Sequence, residues 1–266
     1  MAFELGHKID RLHGLLLLAL KVENWVPVWA ARRELPGPGL RFRSGATLRG
    51  GPGDNPLQCF FTVFRDRCYR RYVSEPGEGV YVDIGANIGL VSLDWAFRLP
   101  RVSVHAYEPD PRTFASLRDN VISNRLHDRI LLYNEAVARE EASAEFTRGD
   151  GSLSTSAFPS LFSKEHGLTN EKFVARTVGL GEVIRRCSNG SPISLVKINA
   201  EGSEADILQG CSPGLLERVL QFAIQYHSLH LLELCADILK RAGFNCIAWP
   251  ETATTGLLYA LRPDQL

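Results

Sequence analysis

The sequence of 266 residues has no net charge, because 30 lysines and arginines balance 30 aspartates and glutamates. Domains that bind nucleic acid usually carry a clear basic excess, so we expect no nucleic-acid partner. Long apolar segments are also missing, since the strongest run near the start, residues 15–20, is far shorter than the ~20 residues that span a membrane. No small-residue cleavage site of a secretory leader follows this run. The sequence therefore predicts a cytoplasmic protein with no membrane partner.

Cysteines are few and widely spaced. None of the six forms a Cys-x-x-Cys pair or has the close spacing that a zinc site requires. Disulfides are rare in the reducing cytosol, so we expect mostly buried, reduced thiols and no metal site. The six residues are Cys59, Cys68, Cys187, Cys211, Cys235 and Cys246.

Apolar residues make up 45% of the chain and charged residues 23%, which is typical of a folded globular protein. After residue 78, β-rich runs that are apolar on both faces alternate with helical patterns. This alternation predicts an α/β fold with a mostly parallel sheet covered by helices on both sides. The seven predicted strands are residues 80–84, 102–107, 130–133, 193–198, 219–226, 244–249 and 257–261.

The change of pattern near residue 78 predicts two regions. Residues 1–78 form a partly helical appendage, with a short hairpin within 40–48, and residues 79–266 form the main domain. A polar segment at about 140–190 interrupts the main domain as an insertion, in which we predict one strand at 172–178. Long insertions in compact domains often carry function.

The clearest helix of the appendage begins at Asn55, an N-cap residue followed by Pro56 at the first helical position. Apolar residues from Leu57 to Tyr72 then recur at intervals of three and four positions, which predicts a single apolar face. This face either packs on the main domain or closes as a lid over a ligand pocket.

The first strand of the main domain runs into Asp83-Ile-Gly-Ala-Asn-Ile-Gly89. Ligands of open α/β sheets bind outside the carboxyl ends of the strands, where this turn lies. Gly85 and Gly89 allow close approach of the backbone to a ligand, while Asp83 and Asn87 supply polar side chains. A dinucleotide site would have the spacing Gly-x-Gly-x-x-Gly, which differs from the spacing here. The acid before the glycines suits a ligand with an ammonium group, so the motif favours an amino-acid moiety over NAD.

Two further polar positions follow the next strands. Glu108 comes at the end of the second strand, where a carboxylate can accept hydrogen bonds from the hydroxyls of a ribose. Asn134-Glu135-Ala136 follows the third strand and offers a side-chain acceptor and a backbone N–H to an adenine edge. Together with the first motif, these positions describe a nucleoside with an aminoacyl tail.

These motifs, together with Leu195-Val-Lys-Ile-Asn-Ala-Glu-Gly-Ser-Glu204, resemble the FkbM family of S-adenosylmethionine-dependent methyltransferases. The resemblance covers roughly residues 76–262. It implies the Rossmann-like fold of the class I methyltransferases, a seven-stranded sheet whose last strand is antiparallel. It also implies a small-molecule acceptor that is methylated at a hydroxyl group of a sugar or secondary metabolite.

The resemblance assigns S-adenosylmethionine as the cofactor and distributes its parts along the motifs. Glu108 would hold the ribose, and Glu135 with Ala136 would hold the adenine. The residues that would surround the methionine part are Asp83, Gly85, Ala86, Asn87 and Gly89.

One residue departs from the family pattern, which usually has aspartate where this chain has Asn199. An asparagine can accept a hydrogen bond but cannot act as a base or as a charged metal ligand. Two alternatives follow: the residue orients the acceptor in an active enzyme, or the chain is a cofactor-binding homologue without turnover. We favour the active enzyme, because methyl transfer depends heavily on holding donor and acceptor at attack distance.

A hydroxyl acceptor needs a base that titrates near neutral pH. His227 is our prediction for this base, because it follows the strand at 219–226 and imidazole has a suitable ordinary pKa. Glu201, at the end of the preceding strand, is the competing candidate, although an acid there also favours the N-terminus of the next helix. We therefore predict His227, Glu201 and Asn199 as the catalytic residues.

Overall fold

The computed structural model describes residues 2–32, 38–51, 54–65, 69–149, 155–156, 168–188 and 190–263. In these ranges the helices are α1 (Ala2–Lys21), α2 (Trp25–Ala30), α3 (Pro56–Phe60), α4 (Leu90–Arg98), α5 (Pro111–Ser123), α6 (Leu180–Ser188), α7 (Glu204–Gln209), α8 (Pro213–Leu216) and α9 (Leu229–Arg241). The strands are β1 (Leu40–Arg41), β2 (Thr47–Leu48), β3 (Glu78–Ile84), β4 (Arg101–Tyr107), β5 (Ile130–Tyr133), β6 (Ala136–Ala138), β7 (Ala142–Gly149), β8 (Thr155–Ser156), β9 (Leu168–Gly179), β10 (Ile193–Ile198), β11 (Gln221–Tyr226), β12 (Asn245–Pro250) and β13 (Gly256–Leu261). None of the described helices has the length and apolarity needed to cross a bilayer.

Seven of the described strands form the central sheet, in the order β12-β13-β11-β10-β3-β4-β5. Neighbouring strands are parallel except at β13, which runs antiparallel to both β11 and β12. The predicted seven-stranded, mostly parallel sheet is confirmed, and the predicted strand bounds lie within two residues of the observed ones. Both β10 and β13 are buried along their whole length, as expected for central strands covered on both faces.

The strand order reverses at β3, which has β4 on one side and β10 on the other. Chain connections leave the carboxyl ends of β3 and β10 toward opposite sides of the sheet at such a point, so a crevice opens between them. The motif after β3 and the segment after β10 therefore meet at this edge. Backbone contacts join them, because Asn199 N donates to Ile84 O over 3.0 Å.

A second sheet of four described strands, in the order β6-β9-β7-β8, occupies the segment predicted as a polar insertion. The predicted strand at 172–178 is confirmed as part of the longer β9, and β7 pairs antiparallel with it while β6 runs parallel to it. Ala142, Ala144 and Phe146 alternate with polar residues along β7, which is the pattern of a half-buried strand. Phe146 is buried in a small apolar cluster with Ala136 and Ala175.

The residues before β3 share one apolar core with the central sheet. Leu18 and Val22 belong to the same buried cluster as Trp95 of α4 and Leu117 of α5. The predicted hairpin within 40–48 is confirmed, since β1 and β2 pair antiparallel. The side chain of Asn120 on α5 holds this hairpin, accepting from Arg49 N and donating to Arg49 O, each over 2.8 Å. The division of the chain at residue 78 stays a prediction.

The helix predicted after Asn55 is shorter than its apolar pattern. Asn55 caps α3 as predicted, with its side chain accepting from Gln58 N over 3.1 Å. A π-helical turn, Phe61–Arg65, follows α3, and Cys68 lies outside the described residues. Tyr72 lies beyond the helix and contacts the ring of Tyr259 edge-on, with centroids 5.3 Å apart. At Tyr72, therefore, this region packs on the main domain.

Candidate active site

A cleft opens at the carboxyl edge of the central sheet, as the strand order requires. It contains about 670 Å³ of space, part of which is open to solvent. The cleft brings together the segments that follow β3, β4, β5 and β10, together with one residue of β7. Its lining residues are Ile84, Gly85, Asn87, Tyr107, Glu108, Pro109, Glu135, Ala136, Val137, Phe146, Asn199, Ala200, Glu201 and Ser203.

The loop after β3 is fixed against the neighbouring strands by its backbone. Gly85 N and Ala86 N both donate to Tyr107 O, over 3.0 and 2.9 Å. Gly85 has a positive φ of 72°, and a side chain there would place its Cβ 1.9 Å from Asn199 O. Only glycine fits this position. Of the predicted methionine-binding residues, Gly85 and Asn87 line the cleft.

Asp83 faces the sheet interior rather than the cleft. Its side chain is fully buried, accepts a hydrogen bond of 2.7 Å from Ser92 Oγ and lies 2.9 Å from Lys197 Nζ. Lys197 also donates to the carbonyl oxygens of Ile84 and Gly85, over 3.1 and 2.5 Å. This arrangement differs from the predicted direct contact of Asp83 with an ammonium group, because the carboxylate already holds a lysine. The pair fixes the carbonyl end of the loop instead.

Gly89 also lies outside the lining of the cleft. It precedes α4 with a φ of 94°, and a Cβ there would come within 2.5 Å of Leu117 Cδ1. Its small size is therefore required for packing of α4 near α5. Ala86 is buried and is likewise absent from the cleft lining.

Glu108, at the end of β4, is buried with its carboxylate at the cleft. Oε2 accepts from Asn87 N over 2.9 Å, and Oε1 accepts from Asp110 N over 3.0 Å. Burial raises the pKa of Glu108 to about 7, although these two hydrogen bonds and the charge of Lys197 oppose the rise. Each carboxylate oxygen has a second lone pair, so the group can still accept hydrogen bonds from a diol.

One end of the cleft is apolar. Tyr107, Val137 and Phe146 line it together with Ala136. The carboxylate of Glu135 pairs with two arginines. Its Oε2 accepts a hydrogen bond from Arg186 Nη1 over 2.7 Å, and its Oε1 lies 3.4 Å from Arg176 Nη1. An apolar slot of this kind suits a flat heteroaromatic group.

Asn134 stabilises the backbone at this end of the cleft. Its amide nitrogen donates to Glu108 O over 2.8 Å and to Pro109 O over 3.1 Å. These bonds join the segments after β4 and β5.

The opposite wall of the cleft is polar and follows β10. Asn199 and Glu201 line it, and Glu201 has a φ of 48°, which is rare for a residue with a side chain. Asn199 Oδ1 is buried and has no hydrogen-bond partner among the described residues. Buried polar atoms are nearly always paired in proteins, so this oxygen marks a place where a ligand donor would be held.

His227, which follows β11, lies behind this wall rather than in the lining of the cleft. Its Nδ1 is 2.9 Å from Glu204 Oε1, and its Nε2 is 3.4 Å from Glu201 Oε2. Burial alone lowers the pKa of His227, but the carboxylates of Glu204, Glu201 and Glu251 outweigh burial and raise it to about 9. A raised pKa favours the protonated imidazole, whereas a general base must be unprotonated to accept a proton.

For Glu201, burial has the largest effect on the pKa. Burial raises the pKa of its carboxyl group to about 7, a rise that His227 and Lys197 oppose and Glu204 supports. A group with this pKa changes its charge near neutral pH. The structure thus brings the two competing candidates, His227 and Glu201, into contact.

Two residues of this site have no role in the sequence-based assignment. Glu204 is fully buried against Nδ1 of His227, although it is present in the motif that ends at residue 204. Phe146 reaches the cleft from β7. The alternating pattern of β7 is the signal that would have revealed a strand there, whereas its direction depends on tertiary packing.

The sheet order and the cleft at its switch point define a Rossmann-like class I methyltransferase fold. The methyltransferase FkbM domain matches residues 83–246. The chain belongs to this FkbM family and is a methyltransferase with S-adenosylmethionine as its cofactor. The family, fold class and cofactor predicted from the sequence are confirmed.

Similar proteins cover different shares of the chain. The 31-O-demethyl-FK506 methyltransferase FkbM of Streptomyces tacrolimicus is 29% identical over 246 residues, which are 82% of this chain and 92% of that protein. Methyltransferase 1 of Beauveria bassiana is 27% identical over 166 residues, which are 56% of this chain and 64% of that protein. A crystal structure of methyltransferase FkbM from Methylobacillus flagellatus KT has 18% identity and a TM-score of 0.49, covering 74% of this chain and 46% of that one.

Proposed function

We propose that this methyltransferase acts on a hydroxyl group of a small molecule, a sugar or a secondary metabolite. The observation that carries the proposal is the polar wall of the cleft, where a buried amide oxygen of Asn199 without a described partner lies beside Glu201, a carboxyl group that titrates near neutral pH. A hydroxyl acceptor needs both functions: a hydrogen-bond partner that orients it and a base that removes its proton. A relative that aligns over most of its length is named for 31-O-demethyl-FK506, which supports an oxygen acceptor.

The cleft residues suit S-adenosylmethionine in three places. Glu108 is the ribose ligand in this proposal, because its two oxygens keep lone pairs beyond the two backbone hydrogen bonds. Val137, Ala136 and Phe146 form the adenine slot, and the loop at Gly85 holds the methionine part. When bound, the cofactor supplies an electrophilic methyl group, whose bond to sulfur breaks with its electron pair moving to sulfur as the acceptor oxygen bonds to carbon.

The contacts of the chain favour this active enzyme over a homologue without turnover. The family's aspartate position is Asn199, whose amide oxygen can orient an acceptor, while Glu201 provides a carboxylate two residues further along. Loss of the aspartate therefore leaves an acid at this wall.

The test has two stages. Calorimetry should show binding of S-adenosylhomocysteine and not of NAD, because the motif after β3 lacks the dinucleotide spacing. Labelled S-adenosylmethionine is then incubated with a panel of acceptors that contains 31-O-demethyl-FK506, free sugars and matched amines. Label should appear on hydroxyl compounds. Transfer to amines alone would overturn the proposed acceptor class. Tight binding of NAD, with no binding of S-adenosylhomocysteine, would overturn the proposed cofactor site.

A further inference from the structure

Two carboxylates and one imidazole form a compact group behind the polar wall of the cleft. Glu201 lies on the turn between β10 and α7, Glu204 is the first residue of α7, and His227 directly follows β11. The imidazole is between the two acids, 2.9 Å from Glu204 and 3.4 Å from Glu201. All three side chains are largely buried, with exposed fractions of 16% for Glu201, 11% for His227 and 0% for Glu204.

The contacts of Glu204 determine where the imidazole protons are. Glu204 Oε1 accepts from Ala200 N over 3.2 Å and from Gly202 N over 3.1 Å. Oε1 is thus a hydrogen-bond acceptor, so His227 Nδ1 donates to it. Since Nε2 faces the second carboxylate, both ring nitrogens carry a proton in the favoured state. Such an imidazolium has no lone pair with which to accept a proton from a substrate.

The same contacts fix the turn that carries Glu201. Ala200 and Gly202 flank this residue, and both donate their backbone N–H groups to Glu204. Glu201 itself has a left-handed φ of 48°, a conformation that persists where surrounding contacts hold it. Of the three titratable residues, Glu201 is the member that lines the cleft.

We propose that Glu201 accepts the proton of the acceptor hydroxyl and that the Glu204–His227 pair positions it. The inference rests on the proposed transfer to a hydroxyl group. As the oxygen–methyl bond forms, the hydroxyl proton passes to a carboxylate oxygen of Glu201 and is then released to solvent. His227 keeps both of its protons throughout, so its part is to hold Glu201 by charge.

The charged neighbours are consistent with this division of roles. Glu201 faces His227, Glu204 and Lys197, while His227 faces Glu204, Glu201 and Glu251. Burial raises the pKa of Glu201 to about 7, and the three acids raise that of His227 to about 9. A base is most efficient when its pKa lies near the working pH, which describes Glu201.

Nuclear magnetic resonance of the complex with S-adenosylhomocysteine tests the inference without an acceptor. Nitrogen-15 histidine spectra, assigned with His227→Gln, should show both ring nitrogens protonated at neutral pH and a midpoint near 9. Carbon-13 carboxyl spectra, assigned with Glu201→Gln, should show a midpoint near 7. Ordinary midpoints, about 6.5 for the histidine and about 4.3 for the glutamate, would overturn the inference.

Two variants separate positioning from general structure. Glu204→Gln should lower the His227 midpoint, because it removes an opposite charge, and His227→Gln should raise that of Glu201. A matched control, Glu233→Gln, changes an exposed acid on α9 and should leave the Glu201 midpoint unchanged. Unchanged midpoints in both test variants would show that the pair does not act on Glu201.

Transfer assays with the hydroxyl compound that accepts label, beginning with 31-O-demethyl-FK506, give the catalytic readout. Glu201→Gln should lower turnover by about 10²–10⁴-fold, the usual contribution of a positioned base, with affinity for S-adenosylhomocysteine within a few-fold of the native value. Retained turnover in this variant would refute Glu201 as the base and leave the methyltransferase proposal intact. Absence of nucleoside binding by the native protein would instead refute the proposed site.

Discussion

Lys197 and Asp83 occupy directly paired positions on the adjacent strands β10 and β3, and their charged atoms are 2.9 Å apart in the buried interior. The lysine also donates to Gly85 O and Ile84 O. One buried cation therefore joins the strand of the FkbM motif to the loop at the cofactor cleft. This link explains why an acid before the glycines need not touch the ligand.

The first prediction concerns the stability of this pair. Lys197→Met should lower the free energy of unfolding by about 3–5 kcal/mol, because Asp83 is left buried without its counter-charge. The loss should be smaller when Asp83→Asn is added, since the uncompensated charge disappears. Urea unfolding of the single and double variants measures both values. Lys172→Met is the control, since the Lys172–Glu145 pair is well exposed and should contribute less than about 1 kcal/mol. Equal losses in Lys197→Met and Lys172→Met would contradict the argument.

The second prediction is a pH dependence of cofactor binding. The pKa of Glu108 is raised to about 7 by burial, and ribose hydroxyls donate best to the ionised carboxylate. Affinity for S-adenosylhomocysteine should therefore rise as the pH increases through that value. Glu108→Gln should remove the rise and weaken binding above the pKa by about 1–3 kcal/mol. Calorimetry one unit below and one unit above the pKa measures the change, and the Glu201→Gln control should retain it.

Protein stability should respond to Glu108 with the opposite sign. A carboxyl group with a folded pKa above its unfolded value contributes stability that is fully present below the unfolded pKa. This contribution is lost as the pH rises through about 7. The free energy of unfolding of the ligand-free native protein should therefore fall over this pH interval. In Glu108→Gln it should fall less. An identical pH profile for both proteins would rule out the raised pKa.

The third prediction concerns the aromatic residue from the second sheet. Phe146→Ala should weaken binding of S-adenosylhomocysteine by about 1–3 kcal/mol, the range found when an aromatic side chain is removed from a base. Phe146 stacks on Phe173 with centroids 5.5 Å apart, so a thermal unfolding measurement must accompany the binding measurement. Val174→Ala is the matched control on β9, because Val174 is 67% exposed. Equal affinities in the two variants would remove Phe146 from the adenine slot.

The fourth prediction concerns the departure from the family pattern at Asn199. Transfer by the native protein should proceed with a chelator present, because a neutral amide is a poor ligand for hard cations. Asn199→Ala should lower transfer by up to about tenfold, which corresponds to a lost hydrogen bond of about 0.5–1.5 kcal/mol. Asn199→Asp should remain active. If single-turnover transfer appears only in the Asp variant, the natural residue does not support the reaction.

Much of the fold follows from local sequence. The strand bounds at 130–133 and 193–198 coincide with the prediction, because continuous apolar runs act over a few positions. The positions of Gly85, Glu108 and Asn199 at one cleft also follow, since parallel strands bring their carboxyl ends to the same edge. The resemblance of the motifs to the FkbM family predicted the cofactor.

The directions and charges of the site residues were decided by tertiary structure. Asp83 lies in the motif, yet its side chain points to Lys197, a residue more than a hundred positions away in the sequence. His227 carries a suitable ordinary pKa, but buried acids from another segment raise it to about 9. A sequence pattern specifies periodicity over neighbouring residues, whereas burial and cross-strand charge depend on which distant segments pack together. The sequence by itself therefore determined the elements and the edge at which they meet, and only the folded chain decided which carboxylate faces the cleft.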